Sequence, residues 1–189
     1  MRELTTLRHS LSSYRSKDVP PGSPIIRVVV TDTNILINLI HVGRLDLLGK
    51  LLPYSFVVPE EVEREVTDSA QTQALQTAMS SGLLQVVRLA APAELKVYAD
   101  LVQILGSGEA ACLSLAECRQ WIVASDEKRK FHRETLARLG TGRLLNTPGI
   151  LKLAITGGIL TVEDADQAKA VLEQHRFVMS FRSFRDVLP

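Results

Sequence analysis

The chain alternates short apolar runs with stretches in which hydrophobic residues recur every three or four positions. Ile25 to Val30 is a β-branched run broken only by Arg27, the texture of a strand covered on both faces, as parallel strands are. It stops at Thr31-Asp32. Ile35, Leu36, Leu39 and Ile40 fall at helical spacing, and Leu45, Leu48, Leu51 and Leu52 do so again beyond Gly43, so two short helices follow the first strand. Tyr54 to Val58 predicts a second strand, after which Pro59 opens a helix where its missing N–H costs nothing. That helix carries Glu60, Glu61, Glu63 and Glu65.

Leu83 to Leu89 predicts an edge strand and Ala93 to Leu105 a helix, and Ser107-Gly108 caps a further helix from Glu109 to about Cys118. Trp121 to Asp126 repeats the grammar of the first strand, an apolar run closed by an aspartate. Leu144 to Thr147 reads as one more strand, followed by helices over 149–156 and, past Gly157-Gly158, over 162–174. Strands alternating with helices imply right-handed βαβ units and a three-layer α/β/α sandwich around a central, mostly parallel sheet. Residues 1–24 lack periodicity and end in Val19-Pro20-Pro21-Gly22-Ser23-Pro24, so they are expected to form an N-terminal arm before a single domain over 25–189.

Composition narrows the class. The 189 residues are 46% hydrophobic and 23% charged, enough for one globular core without disulfides or a structural metal. Lys and Arg number 22 against 21 Asp and Glu, so attraction to nucleic acid has to come from a local patch. Cys112 and Cys118 match neither a CxxC pair nor a zinc-finger spacing. No apolar run approaches the roughly 18 residues of a membrane span, and Arg2 and Arg8 precede no apolar signal segment. A cytoplasmic protein without membrane association is the expectation.

In open parallel sheets the functional crevice lies beyond the carboxyl ends of the strands, which directs attention to Asp32, Asp126 and Thr147. Two aspartates ending neighbouring strands repel unless they share a cation or one is protonated. Glu109 shares a helix face with Cys112, Leu113 and Ala116, where a carboxylate is hard to solvate; the alternative is a first-turn Glu favoured by the helix dipole. On the acidic helix Glu63 and Glu65 flank the inward face set by Val62 and Val66 about equally, and periodicity does not choose between them. Carboxylates without His or Cys suit Mg2+ or Mn2+ better than zinc. The four histidines show no ligand spacing. Just after Asp126, Lys128, Arg129, Lys130, Arg133, Arg138 and Arg143 form a basic stretch placed to neutralise a phosphate backbone, or a solvated helix face. Phe131 stands alone in it, without the aromatic interleaving that base stacking needs.

Val28-Val29-Val30-Thr31-Asp32-Thr33-Asn34, Pro59-x-x-Val62-x-x-Glu65-Val66, Gly108-Glu109-Ala110-Ala111 with Leu113 and Ala116, Ala124-Ser125-Asp126 and Asn146-Thr147-Pro148-Gly149-Ile150-Leu151 occur in a fixed order. In that order the chain resembles PIN-domain nucleases over about residues 26–188. It is similar to the VapC-like toxins of toxin–antitoxin pairs and, more closely, to a family of uncharacterised PIN-like nucleic-acid-binding proteins. The resemblance implies that Asp32, Glu65, Glu109 and Asp126 bind one or two Mg2+ or Mn2+ ions with Asn34 and Thr147 assisting, and it selects Glu65 over Glu63. It implies metal-assisted hydrolysis of an RNA phosphodiester, an RNA substrate and a cognate antitoxin partner. Ser125 stands where relatives often carry a second aspartate, and Asn146 and Pro148 alter a turn that is usually Gly-Thr-Leu-Gly.

The alternatives are a PIN-like module that binds nucleic acid or protein without turnover, and a nuclease for structured DNA. Gly106-Ser107-Gly108 and Gly140-Thr141-Gly142 lack the third glycine of a dinucleotide fingerprint, and Asn34 replaces the second aspartate that an aspartyl-phosphate phosphatase would need. The apolar helices after Asp32 would also suit a homodimer interface.

Overall fold

The computed structural model describes residues 26–188, so the arm expected over 1–24 lies outside the described residues. The first apolar run forms Arg27–Thr31 (β1), and the paired helices after it are Thr33–His41 (α1) and Leu47–Lys50 (α2). Next come Tyr54–Pro59 (β2), Glu60–Glu65 (α3), Ser69–Ser80 (α4) and the short strand Gln85–Val87 (β3). Pro92–Leu101 (α5) and Ser107–Arg119 (α6) lead to Ile122–Ala124 (β4), and Lys130–Leu139 (α7) to Leu144–Leu145 (β5). Thr147–Thr156 (α8) and Val162–Gln174 (α9) complete the helices, before a single 3-10 turn at Phe184–Asp186.

All five strands are parallel, in the order β3-β2-β1-β4-β5, with helices on both faces. Val30 lies opposite Val57 on one side and Val123 on the other, so the β-branched runs meet in the centre of the sheet. The chain builds outward from β1 in one direction through β2 and β3, then returns to add β4 and β5 on the other side. The order therefore reverses between β1 and β4, and the crevice beyond their carboxyl ends is where such sheets place their ligands.

Several elements differ from expectation for local reasons. The helix expected to run to Leu105 ends at Leu101, and residues 102–105 continue as turns. The next helix starts at Ser107 with Gly106 as its N-cap, two residues before Glu109. Asn146 and Thr147 are the cap and first residue of α8 and not the end of a strand, because the Asn146 side chain accepts the Gly149 N–H at 2.8 Å. The α4 helix has no clear signal in the sequence pattern: only Leu75 and Ala78 in it are buried, leaving a weak apolar stripe, and it is started by Asp68 accepting the Gln71 N–H. Ile35, Leu36, Leu39, Leu47 and Leu48, on the helices expected to offer a homodimer face, are buried in the chain's own core.

Candidate functional site

The Asp32 amide donates to the Ala124 carbonyl at 2.9 Å, which brings the ends of β1 and β4 side by side at the point where the strand order reverses. Asp32 caps α1 through Oδ1, which accepts the Thr33 N–H at 2.8 Å. Its Oδ2 accepts from Asn34 Nδ2 and from Ser125 Oγ, both at 2.9 Å. The residue is only 3% exposed, and no Lys or Arg among the described residues pairs with it. Asn34 then bridges the two strand ends, because its Oδ1 accepts the Asp126 N–H at 3.0 Å.

Asp126 turns the other way, towards α8. Its Oδ1 accepts the Thr147 N–H at 2.9 Å, and its Oδ2 accepts from Thr147 Oγ1 and, at 2.9 Å, from Asn38 Nδ2. Asn38 also donates to Thr147 Oγ1 at 3.3 Å, so a buried amide on α1 holds the β4 end and the α8 start together. Thr147 keeps its contact with Asp126 despite Asn146 and Pro148 in the turn.

The remaining acids come from helices. Glu109 stands in the first turn of α6. One oxygen accepts the Gly106 N–H at 2.9 Å, which closes the first turn of α6, while Cys112, Leu113 and Ala116 on its face are wholly buried. Glu65, at the end of α3, accepts from Thr33 Oγ1 at 2.7 Å, Ser107 Oγ at 3.0 Å and the Gly108 N–H at 2.8 Å. Gly108 leaves room for that carboxylate, since a Cβ would stand 2.6 Å from Glu65 Oε2 and would displace it. Glu63 instead lines a cleft between α3 and α4 with Arg64, and Glu60 pairs with Arg64 and Arg88.

Electrostatics follow from this crowding. Burial pushes the Asp32 carboxyl up to about 6, against the lowering effect of Ser125 and the Thr33 amide, and the charges of Glu109 and Glu65 add to the rise. Glu109 is also raised, chiefly by burial, with Glu127 and Glu65 contributing and the Gly106 amide and Lys130 opposing. Burial likewise raises Asp126, although Thr147 and Asn38 hydrogen bonds pull it back. The negative charges of Asp32, Glu65, Glu109 and Glu61 all act on the buried Cys112 thiol, which burial already raises well above its ordinary value.

A family model described as a PIN domain matches residues 28–189. The chain belongs to the PIN-domain family. The crystal structure of VapBC2 from Rickettsia felis bound to a DNA fragment from their promoter contains a chain similar to this one at 17% identity and a TM-score of 0.43, with 63% of this chain and 98% of that one covered. No curated protein sequence matches the chain.

PIN domains are generally nucleases and typically use divalent metal ions. The donor set of this PIN domain fits such an ion in kind: Asp32, Glu65 and Glu109 supply only oxygen, and Glu61 Oε2 is a buried carboxylate atom with no hydrogen-bond partner among the described residues. As the side chains stand, no three His, Cys, Asp or Glu among the described residues lie close enough to hold one ion. Asp126, like Asp32 and Glu65, already accepts hydrogen bonds at both of its oxygens, from Thr147 and Asn38. Ser125, Asn38, Thr33, Ser107 and Gly108 orient the acids; Thr33, Gly108 and Ser125 stand in the sequence motifs without that role being readable, and Asn38 and Ser107 give no site signal, because hydroxyls, amides and single glycines carry no periodicity.

The basic stretch divides. Arg138 pairs with Glu117 at 2.9 Å and also with Glu134, and Arg143 donates to the Leu139 carbonyl at 3.1 Å and to Gln120 at 3.2 Å, so both tie α6 and α7 structurally. Lys128, Arg129, Lys130 and Arg133 remain exposed. Phe131 is buried in the core. Among the described residues no helix is long and apolar enough to cross a membrane.

Proposed function

We propose that this PIN domain is a divalent-metal-dependent endoribonuclease and the toxin half of a toxin–antitoxin pair. The observation that carries the reading is Asp32: a carboxylate 3% exposed, at the reversal of strand order, with Glu109 and Glu65 acting on it and no cationic side chain to balance it. A divalent cation resolves that imbalance. Asp32 and Glu109 would hold it, with Glu65 beside them. A bound Mg2+ or Mn2+ would lower the pKa of the attacking water and neutralise charge gathering on the phosphoryl group. Around it, Ser125 and Asn34 fix the Asp32 carboxylate, and Thr33, Ser107 and the Gly108 amide fix Glu65. Lys128, Arg129, Lys130 and Arg133 would bind the phosphate backbone on the same side, since Lys128 acts on Asp126 and Lys130 on Glu109.

The test presents wild-type protein with a pool of single-stranded and hairpin RNA and with DNA of the same sequences, in Mn2+. Cleavage confined to RNA supports the reading, whereas cleavage of structured DNA alone replaces the substrate. The toxin role has its own test: expression should arrest growth, and a co-expressed antitoxin should relieve the arrest. A second reading, a binding module without turnover, draws on Ser125 standing in place of an acid and on no three acids among the described residues lying close enough to hold one ion. Intact RNA after incubation with folded, RNA-binding protein would favour it.

A further inference from the structure

A groove of about 540 Å3 begins at Ser125 and Asp126 and runs between α7, the β5–α8 turn and the segment 177–181. That volume lies within the roughly 300–1,000 Å3 of small-ligand clefts. Asp126 and Glu127 line the groove together with Lys128 and His132, and Leu136, Phe177, Val178 and Phe181 supply apolar wall. Val178 is 68% exposed and Leu136 is 39% exposed, whereas Phe177 and Phe181 are half-buried and pack against the core. Phe181 is braced edge-on against the buried Phe184, with ring centroids 4.9 Å apart, so its ring is held before anything binds. The aromatic surface missing from the basic stretch of the sequence is thus brought to it from residues 177–181, further along the chain.

We propose that this groove is a nucleobase subsite, which holds one unpaired base of a single-stranded RNA next to the phosphate presented to Asp32. The inference rests on the endoribonuclease reading for the position of that phosphate. Three features select a nucleotide as the occupant. The groove is continuous with the acidic site through Ser125 and Asp126. Lys128 lines it beside Asp126 and Glu127 and is followed in the chain by exposed Arg129, Lys130 and Arg133, a source of cations for a phosphodiester backbone leaving the site. Its walls combine aromatic and aliphatic surface with the exposed polar side chains of His132 and Asn146, the mixture that unstacked bases bury against and hydrogen-bond to. A peptide strand has little to add to here, since β5 offers an edge of only two residues.

The test uses the full chain and a short single-stranded RNA bearing one 4-thiouridine, in EDTA so that bound RNA stays intact. Irradiation should crosslink the base within residues 177–181 or at His132, mapped by mass spectrometry. The exposed-site variants Val178→Glu and His132→Ala should weaken RNA binding, Val178→Glu by roughly tenfold, the lower part of what a stacked base contributes. In Mn2+ both should raise KM with kcat nearly kept. Crosslinks elsewhere, unchanged affinity in both variants, or no RNA binding by the wild type overturns the subsite. Cleavage by the wild type together with unaffected variants removes the subsite and leaves the nuclease standing; groove crosslinks without cleavage do the reverse.

Discussion

Ionising Asp32 inside the fold opposes folding, because its carboxyl sits at about 6 against an ordinary 3.8. The native state therefore binds more protons than the unfolded chain between those values, and this group removes stability as pH rises from about 4 through about 6. A cation that binds the charged form reverses the loss. Thermal melts in EDTA and in Mn2+ should show no metal-induced rise in Tm near pH 4 and a rise that grows through pH 6 to 7. The rise should vanish in Asp32→Asn. A shift independent of pH, or one retained in that variant, places the ion elsewhere.

Gly108 offers a second residue-scale test. Alanine there gains roughly 0.5–1 kcal/mol of helix propensity, and its Cβ meets only the flexible end of Glu65. Gly108→Ala should melt within a degree or two of the wild type and lose most of its cleavage activity, because the Glu65 carboxylate has to leave its bonds to the Gly108 amide and Ser107. Equal activity would show that the position of Glu65 is immaterial. Glu65 also shows where sequence reading stops: its partners lie 32 to 43 residues away, and no helical wheel contains them. Asp32 and Asp126 are legible because they follow the apolar runs of β1 and β4, whereas Thr147 opens α8 and is placed by the Asn146 cap.

At the scale of elements, the same runs mark β1, β2 and β4, whereas α4 escapes because its apolar stripe is two residues wide. Helix ends shift wherever a cap lies outside the periodic residues, as at Gly106 and Asn146. The α5–α6 pair is fastened by a device that periodicity also misses. Arg119 donates to both oxygens of Glu94, at 2.6 and 3.1 Å, and Glu94 additionally accepts the Ala90 and Ala91 amides. Burial pushes the Glu94 carboxyl up, but these bonds overcome it and hold it below the usual 4.5. The clasp thus stabilises above pH 4.5 and is lost as pH falls through the lower folded value. Glu94→Gln should destabilise by about 1.5–3 kcal/mol at neutral pH, with the deficit shrinking below pH 4.5 in urea titrations. A deficit that does not change with pH would mean that packing, not charge, joins the two helices.

Over the whole molecule, the nearly neutral charge hides an asymmetry: acids converge at the carboxyl end of the sheet, and exposed Lys128, Arg129, Lys130 and Arg133 follow directly after β4. Nucleic-acid affinity should accordingly be local. The double variant Lys128→Glu, Lys130→Glu should weaken RNA binding and flatten the slope of log K against log salt by about 0.7 for each phosphate that is no longer neutralised. An unchanged slope would assign the backbone track to another face.

We propose that the carboxylates around Asp32 form a metal-dependent phosphodiesterase site. The most direct measurement is cleavage of one labelled single-stranded RNA by wild type and Asp32→Asn, each in Mg2+, Mn2+ and EDTA. Cutting by the wild type in metal alone, with at least roughly a hundredfold loss in a variant that remains folded, is the expected result. Cutting that survives EDTA, or that Asp32→Asn retains in full, would contradict it.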